Sequence, residues 1–136
     1  MRTPTNLQYL WDPSLAISPY IPERQDIVWL DFEPAKGKEI GKYRPALVLS
    51  SREYNLKTGL LICCPISTSI RGGATEVPVS GLESPSVVTA NLIQTLAWKE
   101  RKAKKIVGAD QNEFRETLLR LLPLIGATEI IDELMA

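Results

Sequence analysis

Apolar residues in this chain come in short bursts separated by turn-forming residues, a rhythm of strands that gives way to helical spacing only in the last third. Asp26-Ile27-Val28-Trp29-Leu30-Asp31-Phe32 predicts a first strand, with Trp29 in the core. Arg44 to Ser51 and Leu60 to Ile66 are near-continuous apolar runs, the pattern of strands covered on both faces. Asn55-Leu56-Lys57-Thr58-Gly59 turns the chain between them. After Gly72-Gly73, Glu76-Val77-Pro78-Val79 alternates like a short edge strand, and Ser86 to Ala90 and Leu92 to Ala97 bring the strand segments to about six.

Beyond the basic patch Lys99 to Lys105, Asp110 with Glu113 forms a capping-box-like start. Phe114, Leu118, Leu121, Leu122 and Ile125 then recur at helical spacing. Pro123 weakens that helix near its end and Gly126 stops it. The expected fold is mainly β (α+β), a small, curved, mostly antiparallel barrel-like sheet closed by a C-terminal amphipathic helix. Residues 1–22, with Pro4, Pro13, Pro19 and Pro22, form an extended arm; 23–126 form the barrel domain and 127–136 an acidic tail.

At 136 residues and 44% apolar, one domain can bury a core without staples. No apolar run approaches the ~20 residues of a membrane span. The N-terminus lacks the basic-then-apolar order of a signal peptide, so a cytoplasmic location is expected. Cys63 and Cys64 are neighbours in a strand, point to opposite faces and serve as small apolar fillers. The net charge of zero conceals an asymmetry: +7 over residues 36–105, between −3 before and −4 after. A basic centre suits a polyanion, although lysines can also simply solvate loops.

The run Lys36-Gly37-Lys38-Glu39-Ile40-Gly41-Lys42-Tyr43-Arg44-Pro45 sets a carboxylate and a guanidinium five residues apart at a strand's mouth. With no histidine in the chain, the usual general base and every Ser-His or Cys-His nucleophile are excluded. No metal or cofactor site is expected. Attack of an RNA 2′-hydroxyl on its own phosphate needs a proton acceptor, a cation and a phosphate-orienting donor, and Glu39, Arg44 and the cluster Ser67-Thr68-Ser69 match those needs. Structural alternatives stand beside this. Glu39 and Arg44 can pair with each other for about 0–1 kcal/mol, Ser67 and Thr68 can cap a turn, and Tyr43 and Trp98 can fill the barrel's rim or stack on bases.

In order and spacing, residues 20 to 126 resemble the MazF/PemK family of toxin endoribonucleases from type II toxin–antitoxin pairs. The resemblance is carried by Asp26 to Pro34, Gly37-Lys38-Glu39-Ile40-Gly41-Lys42-Tyr43-Arg44-Pro45 to Ser50, Tyr54 to Gly59, Cys64-Pro65-Ile66-Ser67-Thr68 and Leu92 to Trp98. It implies an SH3-like barrel that forms a homodimer, cleaves single-stranded mRNA sequence-selectively without a metal, and is neutralised by an acidic MazE/PemI-like antitoxin. Carried over, Glu39 and Arg44 match the family's loop carboxylate and arginine, and Ser67, where the family usually has threonine, is the phosphate-orienting hydroxyl, with Thr68 as fallback. Because a guanidinium resists deprotonation, Glu39 rather than the arginine is expected to accept the proton and Arg44 to serve chiefly as the transition-state cation. The implied products are a 2′,3′-cyclic phosphate and a 5′-hydroxyl.

Lys42, Tyr43, Thr68, Arg71 and Gln94 are candidate RNA contacts. Ile40 stands where a polar residue is common, so the loop is expected to rest differently or press on a partner. The acidic, apolar-spotted tail raises the idea of self-masking of the basic groove. Two alternatives of other classes are a toxin of the same barrel that acts by binding, as gyrase poisons do, and a non-catalytic nucleic-acid-binding barrel.

Overall fold

The computed structural model describes residues 20–136. Most of the expected N-terminal arm lies outside them. β1 (Asp26–Asp31), β2 (Tyr43–Val48), β3 (Leu60–Ser67), β4 (Glu76–Val79), β5 (Ser86–Thr89), β6 (Gln94–Ala97) and β7 (Lys104–Gly108) form one sheet, paired antiparallel in the order β4-β5-β3-β2-β1-β7. β3 is the hinge of this arrangement. Its first half pairs with β6 (Leu60 opposite Ala97) and its last residues pair with β5 (Ser67 opposite Val87), so the sheet curls into an open barrel.

The near-continuous apolar strands are explained by cores on both sides of the sheet. On one side Ile27, Leu47, Cys64 and Ile66 pack with Phe114 and Leu121 of α2 (Gln111–Leu121). On the other, Val28, Leu30, Ala46, Val48, Cys63, Leu96 and Trp98 form a second cluster, against which Tyr20, Ile21 and Ile40 rest. Cys63 and Cys64 are both buried and free, one in each cluster.

Three local expectations need correction. Asn55 to Thr58, expected in a turn, belong to the short helix α1 (Arg52–Thr58); Ser51 Oγ caps it by accepting from Tyr54 N at 3.1 Å, and Gly59 closes it with φ 72°. The basic patch contributes a seventh strand, because Lys104–Gly108 finds a ladder on β1 that no apolar alternation announced. Trp29 is not core but 37% exposed, with its ring stacked on Tyr43 at 5.5 Å. It shares a side of β1 with Ile27, yet the cluster that α2 covers reaches Ile27 and not Trp29. The acidic tail is helical over α3 (Ala127–Met135), with no buried side chain.

The capping-box signal is half realised. Asp110 accepts from the backbone N–H groups of Asn112 and Glu113 at 3.0 and 3.1 Å. Glu113 instead reaches across to the β4–β5 connection, accepting from Ser80 N at 3.0 Å and from its hydroxyl at 3.2 Å. The helix thereby becomes a brace for that connection. Its apolar stripe ends at Leu121, since the 3-10 turn Leu122–Ile125, with Pro123 as its second residue, rotates Ile125 into solvent.

Candidate functional site

Alternation along β2 and β3 points Arg44 and Ser67 to the side of Ala46, Val48 and Cys63, at the open end of the second cluster. There the β1–β2 loop and the β3–β4 loop wall a pocket of about 480 Å³ lined by Lys38, Glu39, Ile40, Arg44, Ser67 and Arg71, among others. The three residues expected to do the chemistry thus come to one cavity from the β1–β2 loop, the start of β2 and the end of β3.

Glu39 closes a turn over residues 36–39: its Oε1 accepts from Lys36 N at 2.8 Å, while its own N–H donates to Lys36 O at 2.9 Å. Its second carboxylate oxygen has no protein partner among the described residues. Arg44 does not pair with it; no carboxylate of the described residues lies within 4.0 Å of the guanidinium. Arg44 is held by backbone oxygens, with Nε donating to Gly41 O at 2.6 Å and Nη1 to Ile66 O at 3.4 Å. Burial lowers its pKa, and the charge of Glu33 opposes that shift. A cation fixed without an ion-pair partner is free to meet an anion from outside.

Ser67 shapes its turn and keeps a hydroxyl proton to spare. Its Oγ accepts from Ser69 N at 3.0 Å, shaping the turn after β3, and its hydroxyl proton remains available to a ligand. Arg71 lines the same pocket, and its loop is shaped by Glu76, whose carboxylate accepts from Arg71 N at 3.1 Å and from Gly72 N at 2.8 Å. Glu76 carries no sequence signal for this task, because its partners lie four and five residues back across a loop.

The other candidates are elsewhere. Thr68, one step along from Ser67, faces a second groove with Trp29, Pro45, Ile66 and Ile106. Tyr43 stands beside that groove, stacked on Trp29 with its hydroxyl donating to Lys102 O at 3.0 Å. Lys42 is exposed with φ 71°, and Gln94 sits in β6 opposite Cys63; neither lines the pocket. Ile40 is half-buried against the second cluster, so the apolar residue at this position tacks the loop to the core.

A family model described as PemK-like, MazF-like toxin of type II toxin-antitoxin systems matches residues 23–125. The chain is 38% identical over 110 residues to the endoribonuclease toxin MazF of Escherichia coli K12, which covers 81% of this chain and 99% of that protein. A crystal structure of MazF from Deinococcus radiodurans superposes with a TM-score of 0.77 at 37% identity, covering 79% of this chain and 99% of that one. A MazE-MazF structure from the same organism gives 0.69 at 32% identity, with the same coverage.

Proposed function

This chain belongs to the PemK-like, MazF-like toxin family of type II toxin–antitoxin systems, and from that premise we propose that the pocket of Glu39, Arg44 and Ser67 cleaves single-stranded RNA. The observation that carries the proposal is the convergence of a free carboxylate oxygen, an unpaired guanidinium and a hydroxyl donor in one cavity. Glu39 accepts the proton of the 2′-hydroxyl as that oxygen attacks the adjacent phosphorus. The P–O5′ bond breaks, leaving a 2′,3′-cyclic phosphate and a 5′-hydroxyl. Arg44 faces the charge that builds on the phosphoryl oxygens, and Ser67 donates a hydrogen bond that orients them.

The leaving 5′-oxygen takes its proton from solvent or from Arg44, whose acidity burial increases. Because the substrate supplies its own nucleophile, effective concentration is high and no activated water is needed. Lys38 and Arg71 at the pocket's rim draw in the phosphate backbone. The protein acts on mRNA in the cytoplasm, as a homodimer, and is held in check by an acidic antitoxin of the MazE kind, the partner present in the Deinococcus radiodurans MazE-MazF structure.

Cleavage in EDTA should persist and should vanish when the ribose at the cut site is replaced by 2′-deoxyribose. Glu39→Ala and Arg44→Ala should each lower the rate at least 100-fold, on the scale of a general base or an oxyanion-type donor. Cutting of the deoxy substrate would reject attack by the 2′-hydroxyl, and parent-like rates in both variants would reject this pocket as the site, whereas failure of the parent to cut any RNA would point to a toxin that acts by binding.

A further inference from the structure

We propose that Glu33 is a positioning residue for this cleavage: its carboxylate ties the two ends of the β1–β2 loop together and so sets where Arg44 presents its guanidinium. The inference rests on the cleavage function argued above. Phe32 is buried in the second cluster, but the loop that follows it, from Glu33 to Lys42, is largely exposed, with Ile40 half-buried as its main apolar anchor. Something polar must hold the rest.

Glu33 Oε2 accepts from Lys42 N at 2.6 Å and Oε1 accepts from Ala35 N at 3.2 Å, so one side chain bridges the start and the end of the loop. Lys42 is held at φ 71°, a conformation that disfavours a residue with a side chain and that its bond to Glu33 helps to fix. Phe32 N donating to Lys42 O at 2.9 Å closes the same junction.

Gly41 lies so close that a Cβ there would collide with the Glu33 carboxylate. Its carbonyl is the group that accepts from Arg44 Nε at 2.6 Å. Glu33 is itself fixed from behind: Arg101 Nη1 donates to Asp31 O at 2.9 Å and to Glu33 O at 2.8 Å. A continuous chain of contacts thus runs from Arg101 through Glu33 and Gly41 to the guanidinium. The Glu33 charge also favours the protonated form of Arg44, against the effect of burial.

The test is single-turnover cleavage of a long single-stranded transcript with enzyme in excess, comparing the parent with Glu33→Gln, Glu33→Ala, Arg44→Lys and the Glu33→Ala/Arg44→Lys double variant. The maximal rate should fall about tenfold in Glu33→Gln, which keeps one acceptor, and about 100-fold in Glu33→Ala, the scale of a small misplacement of a reacting group. The enzyme concentration at half-saturation should change less than about threefold. In the Arg44→Lys background, Glu33→Ala should cost almost nothing more, since the bond to Gly41 O is already gone.

An equal loss in both backgrounds, or a loss seen only in half-saturation, overturns the inference. Amide exchange gives a readout independent of activity: the Lys42 N–H should exchange faster in Glu33→Ala while amides of β2 and β3 stay protected, and an unchanged Lys42 N–H would sink the clamp. Parent-like cleavage by Arg44→Lys and Arg44→Ala would reject the active-site assignment itself, leaving the exchange experiment to judge the clamp separately.

Discussion

A single methyl group at position 41 tests the site's geometry more sharply than the loss of a charge. Gly41→Ala would set a Cβ against the Glu33 carboxylate and within 3.3 Å of the Ala35 side chain, so either the carboxylate swings off Lys42 N or the loop shifts, and both loosen the Arg44 anchor. The maximal cleavage rate should fall about tenfold or more, with the circular-dichroism spectrum unchanged. A parent-like rate would mean that the loop tolerates the displacement. The gathering of Glu39, Arg44 and Ser67 at one cavity was legible in the sequence, because the chemistry considered restricts residue type and the loop restricts spacing. The tie from Glu33 to Lys42 N was not, since it depends on a backbone path that returns to Glu33 nine residues later. Trp29 was misplaced for a related reason: alternation gives the face a residue occupies but not how far along that face a covering helix extends.

At the scale of elements, what could be read depended on whether a segment is organised by its own residues or by distant ones. The long strands and α2 announce themselves through apolar runs, helical spacing and Asp110. Asp110→Ala removes the acceptor of two helix-start N–H groups and should cost about 1 kcal/mol in urea unfolding. A loss below a few tenths would mean solvent caps the helix equally well. β7 went unnoticed because two lysines open it and only Ile106 and Val107 are apolar, and pairing with β1 supplies what propensity lacks. α3 is helical without burying any side chain, so deleting residues 127–136 should leave unfolding free energy within about 0.5 kcal/mol of the parent. The same deletion tests self-masking, because a faster cleavage rate would support it and an unchanged rate would discard it.

Across the whole molecule, the basic centre of the chain divides by location. Lys38, Arg44 and Arg71 gather at the pocket, whereas Lys104 and Lys105 lie on β7, where Lys105 pairs with Asp26 at 3.5 Å. If those three cations each meet a phosphate, the logarithm of RNA affinity should fall with the logarithm of salt at a slope of about −2. A slope near zero would argue against a phosphate-directed pocket. Alkaline pH addresses the two cores together. Burial pushes the thiol of Cys64 up to about 12 and raises that of Cys63 further, so both are neutral in the folded protein. A raised folded pKa adds stability below the unfolded value of about 8.5, and that contribution drains away as pH climbs from there through the folded values. Stability should therefore decline steadily above roughly pH 8.5, and a flat profile to pH 10.5 would contradict it. The same two thiols offer a local clock. Adjacent in sequence yet on opposite sides of the sheet, they become reactive when different halves of the structure open. The rate of maleimide capture at Cys64 in a Cys63→Ala variant times the parting of α2 from the sheet, and Cys63 in a Cys64→Ala variant times the opening of the side beneath the β1–β2 loop.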